Sequence, residues 1–426
     1  MLINWLRRVV PVRDEELGPV LLATAYGFCI LLSYYILRPV RDEISSADRG
    51  NLQILWTVVF LVMAFVAVPL YSAVVSRYSR GVFIPLANRF FAVNLLILFA
   101  LLYLLPETAR PWIDRVFYVW TSVFALFVVT VFWGFVVDLF GTEQGKRVFG
   151  FIAVGSSLGG IAGSFVTATL AEVVAPFTLL LIAVVPLEVA AWCALVLHRR
   201  SGLPTAVTRT EESEPVRGTA FSGMRVVFQS SYLRNILLFI MLMTFASTVL
   251  YYQQADLIRN AFPADRAART VFYAKIDLTV NLITIFTQAF LAAHIIRRIG
   301  VGLSLAFVPG LALLGFLSLG VYPLLAVLVV FQVLYRAGRY AIARPSREVL
   351  FTVVGREERY KSKAFIDAAG YRGGDLVTAW LYTGLAAVGL SLGAIALVAV
   401  PVAALWAITG LALGRQQEVR SKEASA

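Results

Sequence analysis

Long apolar runs separated by short charged segments make up most of this chain. Twelve of the runs come close to the roughly 20 residues that an α-helix needs to cross a bilayer. We therefore predict an all-α membrane protein with twelve transmembrane helices. The predicted helices span residues 17–38, 51–76, 82–105, 115–138, 148–174, 176–198, 232–256, 270–296, 301–320, 322–342, 362–388 and 390–414.

A polar segment interrupts this pattern after the sixth apolar run. Residues 199–231 carry proline, glycine and charged side chains and are too few to form a domain, so they are typical of a cytoplasmic linker. We predict an N-terminal six-helix half at 1–198 and a C-terminal six-helix half at 232–426, with a basic loop between its tenth and eleventh helices.

The two halves resemble each other when the chain is shifted by 215 residues. The shift aligns Gly155 with Gly370 and Gly159 with Gly374, in each case after a basic loop. Glycines four residues apart allow two membrane helices to approach closely. Unless the glycines align by chance, parallel six-helix halves indicate a major-facilitator-like architecture with one central substrate site.

The distribution of lysine and arginine sets the expected orientation. With the N-terminus inside, the inner segments hold 25 of these residues and the outer loops hold 8. Cytoplasmic loops of membrane proteins carry the excess of positive charge. We therefore place both termini in the cytoplasm and expect a bacterial inner (plasma) membrane.

Composition narrows the classes of function. The chain is 60% hydrophobic and only 15% charged, unlike a soluble globular protein. Its net charge of +12 comes from residues that flank the apolar runs, so topology explains it better than a nucleic-acid partner. The two cysteines and two histidines lie in or at the ends of apolar runs. We expect no disulfide framework, metal site or cofactor, and no enzyme, because no nucleophile–base pair is evident.

Charged residues follow the first apolar run at helical spacing. Arg38, Arg41 and Asp42 share one face if the helix continues through Pro39, and Asp42 can then hold an arginine by ion pairing. Two arginines at an outer membrane boundary favour a substrate site over an ordinary outer loop. A charge at membrane depth costs about 2.5–3.5 kcal/mol on insertion scales and usually marks a substrate path.

Further candidates lie in the fourth, seventh and eighth runs. Trp133 could offer a stacking face for a flat ring, or serve only as an interface residue. Tyr252 and Gln253 could hydrogen-bond a base or a sugar. Lys275 and Asp277 lie close together in an apolar run, where we expect them to be buried and to pair with neighbours, either structurally or as part of a gate.

The stretch 335–375 holds the densest charge of the chain. A basic cytoplasmic loop explains part of it, but Arg347 and Glu348 at one edge, and Asp367 and Arg372 at the other, merge into apolar helices. A guanidinium is always protonated and presents a planar fork of donors, so phosphate or carboxylate is its natural partner.

Together these motifs resemble the nucleotide transporter family of plastids and obligate intracellular bacteria, the ATP:ADP antiporters, which are distant relatives of the major facilitators. The matching motifs occur in the family's order along nearly the whole chain, at 34–42, 132–135, 143–147, 345–348 and 361–367.

The resemblance implies roles for individual residues. Arg41 and Arg347 stand where the family carries basic residues important for transport. Arg38, Glu143 and Glu348 match motif positions whose role is less defined. The chain departs from the family pattern at Arg41 itself, where lysine is usual, and by carrying a basic residue before Pro345, where an acid is usual.

The leading hypothesis is a secondary active transporter that exchanges nucleotides, ATP- and ADP-like phosphorylated anions, by alternating access. Arg38 and Arg41 from one half and Arg347 and Arg372 from the other would hold the phosphates. Membrane lipid is the other expected partner. The sequence does not decide the oligomeric state or which anion is carried.

Two alternatives keep the fold and change the function. One is a proton-coupled transporter of another organic anion, with Asp138, Asp277 or Asp367 carrying the proton. The other is a non-transporting membrane scaffold or sensor, which would tolerate loss of the charges at Arg38 and Arg41.

Overall fold

The computed structural model describes residues 14–78, 80–201 and 220–423. The described chain is almost entirely helical. Its first part, up to the predicted linker, contains α1 (Asp14–Ala47), α2 (Leu52–Val62), a π-helical turn (Met63–Ala67), α3 (Val68–Arg77), α4 (Arg80–Leu104), α5 (Arg110–Leu170) and α6 (Leu179–Ser201).

The second part is also built of helices and contains two more π-helical turns. It contains α7 (Ala220–Gln229), α8 (Ser231–Ala261), α9 (Arg266–Phe290), α10 (Ala292–Val321), α11 (Leu325–Gly338), a π-helical turn (Arg339–Ala343), α12 (Arg344–Leu350), α13 (Arg356–Phe365), a π-helical turn (Ile366–Gly370), α14 (Tyr371–Ala387) and α15 (Leu392–Glu423).

Eleven helices among the described residues are long and apolar enough to cross a membrane. They correspond to all the predicted spans except 362–388. In that region α13, a π-helical turn and α14 follow one another, and α14 alone is 17 residues long. The all-α membrane fold predicted from the apolar runs is confirmed.

The helix bounds differ from the prediction mainly at charged ends. The first helix continues through Pro39 as far as Ala47, so Arg38, Arg41 and Asp42 all lie on helical backbone. Helical backbone also runs unbroken through α5, which contains the candidate span Arg147–Leu170 and all but the first three residues of the candidate span Glu107–Phe140. Charged residues therefore interrupt the hydropathy pattern at places where they do not interrupt the helix.

The chain divides into two compact units. The first unit comprises Met1–Asp48, Leu61–Thr208 and Ala264–Asn281, and the second comprises Arg49–Phe60, Arg209–Pro263 and Leu282–Ala426. Each unit thus includes a segment from the other half of the sequence. The half boundaries at 198 and 232 stay a prediction, and residues 202–219 of the predicted linker lie outside the described part of the chain.

The aligned glycines hold a close helix contact in each unit. In the first unit, a Cβ added to Gly159 of α5 would lie 2.1 Å from the carbonyl oxygen of Phe28 in α1. In the second, a Cβ added to Gly374 of α14 would lie 2.2 Å from Oγ1 of Thr244 in α8. Only glycine permits such approaches, which confirms the packing role expected of both motifs.

Aromatic side chains form part of the core of each unit. In the first unit, the buried ring of Tyr26 packs edge-to-face on Phe132, with centroids 5.1 Å apart. In the second, Trp406 packs against Phe239 at 5.6 Å and Tyr335 at 6.3 Å. These contacts fix α8, which contributes Phe239 and Met243 to a cavity in the second unit, and α11, which leads into the π-helical turn that also lines it.

Candidate anion-binding site

The predicted charge cluster at the end of α1 forms in the first unit. Arg38 Nε lies 3.5 Å from Oδ2 of Asp42, and Arg38 Nη1 lies 3.5 Å from Oδ1 of Asp277. Arg41 Nη1 lies 3.7 Å from Oδ1 of Asp42, and its Nη2 donates to the hydroxyl of Tyr118 at 3.2 Å. Asp42 and Asp277 are almost fully buried. Two carboxylates therefore offset the charge of two guanidinium groups.

A second charge network, which sequence reasoning missed, lies beside this cluster. The buried carboxylate of Glu43 receives Arg269 Nη2 at 2.7 Å on one oxygen and Arg266 Nη2 at 2.8 Å on the other. Arg266 Nη1 also reaches Asp114 at 2.9 Å. The spacing of Arg266 and Arg269, which places both on one face of α9, was the available signal.

The other predicted residues of the first unit lie apart from these pairs. Trp133 packs edge-to-face on Phe132 at 5.2 Å and is partly exposed. Lys275 is exposed and pairs with Glu172 at 3.2 Å, so the expectation that it is buried is wrong. Residues two apart point to different sides of a helix, which is why Asp277 is buried and Lys275 is not. The side chain of Glu143 lies outside those described.

The predicted aromatic and amide groups of α8 contact protein partners in the second unit. The guanidinium carbon of Arg49 lies 4.4 Å from the ring centroid of Tyr252 and 5.1 Å from that of Tyr382. Arg49 Nε also pairs with Asp256 at 2.8 Å. Gln253 donates to the carbonyl oxygen of Leu392 at 3.0 Å. Ligand binding by Tyr252 and Gln253 stays a prediction.

The second unit contains a cavity of about 170 Å³ that is rich in arginine. We call it the arginine cavity. Its lining consists of Phe239, Met243, Arg339, Tyr340, Ala343, Arg344, Arg347 and Tyr371.

Arg339 is held in the arginine cavity by hydroxyl groups. Its Nη1 donates to Oγ of Ser247 at 2.8 Å, and its Nη2 donates to the hydroxyl of Tyr371. The Ser247 hydroxyl is in turn 2.8 Å from the hydroxyl of Tyr335. Because these partners are neutral, they fix the guanidinium in place without offsetting its charge.

Charged groups at the rim connect the arginine cavity to the cytoplasmic loop predicted from the sequence. Arg347 Nη2 lies 3.7 Å from a carboxylate oxygen of the half-exposed Glu348, which also pairs with Lys363. The exposed Asp367 interacts electrostatically with both Arg347 and Lys363. The structure therefore brings these predicted residues together.

Arg372 lies on α14 next to Tyr371. It interacts electrostatically with the buried Asp375. Its neighbour Tyr371 lines the arginine cavity, whereas Arg372 does not.

The lining of the arginine cavity favours an anion. Three of its eight residues carry guanidinium groups and none carries a carboxylate. Arginine is well suited to bidentate contact with phosphate. A volume of about 170 Å³ holds a phosphate group, but it is below the roughly 300–1,000 Å³ of sites that enclose a whole ligand.

A π-helical turn explains why sequence reasoning did not place Arg339 and Arg344 together. Residues five apart diverge on an α-helix, but a π-turn closes hydrogen bonds from residue i to i+5. The Arg344 amide donates to the Arg339 carbonyl across the turn Arg339–Ala343, and both side chains line the arginine cavity. Helical periodicity alone could not reveal this arrangement.

Comparisons with known proteins point to transporters. No protein-family model matches the chain. It is 22% identical to the chloroplastic ADP,ATP carrier protein 1 of Arabidopsis thaliana, over 93% of this chain and 73% of that protein. It is also 22% identical to ADP,ATP carrier protein 1 of Chlamydia trachomatis, over 90% of this chain and 85% of that protein. These matches confirm the resemblance to the ADP,ATP carriers, at low identity.

Solved structures confirm the major-facilitator-like fold. The POT family transporter PepTSo superposes with a TM-score of 0.66 at 13% identity, covering 94% of this chain and 98% of that one. The nucleoside transporter NupG superposes with a TM-score of 0.61 at 12% identity, covering 96% of this chain and all of that one. The chain is therefore an integral membrane protein with a transporter fold.

Proposed function

We propose that this chain, a divergent relative of the ADP,ATP carriers, is a secondary active transporter that exchanges ATP- and ADP-like phosphorylated anions across a membrane by alternating access. The arginine cavity is the observation that carries the proposal. Its three guanidinium groups match the chemistry that a polyphosphate requires, and the relatives named above are ADP,ATP carriers.

In this proposal the arginine cavity receives the phosphate end of the nucleotide. The guanidinium of Arg339 is already oriented by Ser247 and Tyr371, so little conformational entropy is lost when a phosphate binds. Arg344 and Arg347 line the same cavity and add positive charge. The cavity is too small for a whole nucleotide, so the base and the sugar extend beyond it.

The charge of the arginine cavity explains exchange rather than net flux. Occluding an empty site means removing guanidinium groups from water without an anionic partner, which is costly. A bound phosphate supplies that partner, so the loaded carrier changes conformation more readily than the empty one. Each inward crossing of a nucleotide is then coupled to an outward crossing.

Transport by reconstituted protein tests this proposal. Liposomes that contain the purified protein and internal ADP should take up labelled ATP, and liposomes without internal nucleotide should take up little. Arg347→Gln should reduce the exchange rate at least tenfold. The matched control is Arg415→Gln, which changes an exposed arginine of the same unit.

Two outcomes would count against the proposal. Exchange by Arg347→Gln at the parent rate would exclude the arginine cavity as a phosphate site. Uptake that needs no internal nucleotide and follows an inward proton gradient would replace exchange by proton coupling.

The proposed membrane is the bacterial inner membrane, with both termini in the cytoplasm. The excess of lysine and arginine in the inner segments supports this orientation. Protease added to intact spheroplasts should leave a C-terminal tag uncut, and cleavage of that tag would reverse the assignment.

A further inference from the structure

An ion pair lies on the outer surface of the first unit, away from the charge networks described above. Arg89 of α4 and Glu188 of α6 approach to 3.4 Å between Nε and Oε2. Their side chains are 53% and 48% exposed. The proposed function does not use this pair.

The two residues of the pair lie within candidate membrane spans, Phe83–Leu104 and Pro176–Arg200. Glu188 is twelve residues from each end of the candidate span Pro176–Arg200. At about 1.5 Å per residue, that distance is roughly 18 Å from either end, which is close to the middle of the bilayer. Arg89 lies six residues from the start of the candidate span Phe83–Leu104, and its contact with Glu188 brings its guanidinium to the depth of that carboxylate.

The surface around the pair is apolar, as expected for a face in contact with lipid. Large exposed side chains flank Arg89 on α4 and Glu188 on α6, and more than half of the surface of each is exposed. These residues are Leu86, Val93, Val185 and Trp192. Charged side chains in membrane spans normally face the protein interior or a water-filled cavity. A half-exposed pair among exposed apolar residues therefore points to a further partner.

We propose that this face of α4 and α6 binds a second copy of the same chain. A two-fold axis beside the pair would bring Arg89 of each copy to Glu188 of the other, because a two-fold interface is self-complementary. The four charges would then alternate in sign, and the flanking apolar side chains would pack around them. A lipid phosphate fits less well, since it would attract Arg89 and repel Glu188.

Charge reversal separates contacts between copies from the ion pair within one copy. Arg89→Glu gives a face with two acids, and Glu188→Arg gives a face with two bases. Each variant alone should lose dimerisation, because like charges would meet across the axis. A mixture of the two variants should recover it, because an acidic face then meets a basic one.

The measurement is energy transfer between donor- and acceptor-labelled copies in phosphatidylcholine bilayers, diluted over a range of protein-to-lipid ratios. We expect at least a tenfold weaker association for each variant alone, and association within about threefold of the parent for the mixture. Charge reversal of the exposed pair Glu107 and Arg110, which lies near a helix end, should leave association unchanged.

Three results would overturn the inference. One is a parent protein that stays monomeric at every dilution. Another is a mixture that does not recover association although both variants elute as single folded species with parental helix content. If anionic lipid in place of phosphatidylcholine disperses a parent dimer, the face binds lipid rather than a second copy and the inference also fails.

Discussion

The Glu43 network of the first unit and the arginine cavity of the second use the same cation in opposite ways. Arg266 and Arg269 each contact a buried carboxylate oxygen at 2.8 Å or less. Arg339 donates its hydrogen bonds to hydroxyl groups, its charge interacts electrostatically with the buried Asp375, and no acid lies among the described residues that line its cavity. The role of a region therefore depends less on how many arginines it contains than on which groups offset their charge.

This difference has an energetic meaning. A buried guanidinium with a carboxylate partner is satisfied, so that the network contributes to the folded state and has little to gain from a ligand. A guanidinium whose hydrogen bonds go to neutral hydroxyls, with no carboxylate in the cavity lining, keeps more of its charge available to an incoming phosphate. We therefore expect substitutions in the network to affect stability and substitutions in the arginine cavity to affect binding.

Removal of the central acid of the network should give the largest effect on stability. Glu43→Gln removes the carboxylate that pairs with the buried Arg269, and loss of one partner of a buried pair costs about 3–5 kcal/mol. Thermal unfolding in detergent should show a large drop in Tm. The control Glu107→Gln changes an exposed acid and should stay within about 0.5 kcal/mol of the parent. Equal stability of the two variants would show that the Glu43 network does not stabilise the folded state more than an exposed acid does.

Removal of Arg339 from the arginine cavity should affect nucleotide binding instead of stability. ATP or ADP at about 100 times its Kd should stabilise the parent by roughly 2.7 kcal/mol. Arg339→Gln should lose most of this stabilisation while the ligand-free Tm changes little, because Ser247 keeps its hydrogen bond with Tyr335 and the Tyr371 hydroxyl can bond to water. Arg415→Gln should keep the full shift. A full shift in Arg339→Gln would show that nucleotide binds elsewhere.

The sequence predicted the helices and one of the charge clusters well. Arg38, Arg41 and Asp42 are close in the chain, so helical spacing alone placed them on one face and indicated pairing by Asp42, but not the contact of Arg38 with Asp277. The Glu43 network could not be derived in this way. Its arginines lie more than 220 residues away from Glu43, and the sequence carries no distance information over such a separation.

The arginine cavity shows a second limit of sequence reasoning. Arg347 could be singled out because it follows an apolar run and matches a family motif. The contribution of Arg339 depends on the π-helical turn Arg339–Ala343, which changes the periodicity that the prediction assumed. The hydroxyls of Ser247 and Tyr371, which orient Arg339, come from two other helices.

Arg49 tests what decides whether an arginine acts in stability or in nucleotide binding. The deciding factor could be its carboxylate partner or the unit in which it lies. It lies in the second unit but resembles the network, because it pairs with Asp256 and packs against the ring of Tyr252. Arg49→Gln should destabilise the protein by about 1–3 kcal/mol through loss of this partly buried pair and of the cation–π contact. Nucleotide-dependent stabilisation should persist in the variant. Its loss, with an unchanged ligand-free Tm, would place Arg49 among the binding residues.

We expect the smallest change in stability from substitution of the acid at the rim of the arginine cavity. This substitution also tests most selectively whether a carboxylate competes with phosphate for an arginine. Glu348 is half-exposed and lies 3.7 Å from Arg347, so Glu348→Gln should alter stability by less than about 1 kcal/mol. The substitution removes a negative charge that competes with phosphate for Arg347. We therefore expect nucleotide to bind about two- to fivefold more tightly, and more so at low ionic strength, because exposed charges are screened by salt. Isothermal titration at two salt concentrations measures this directly. Weaker binding would mean that Glu348 orients Arg347 for the phosphate rather than competing with it.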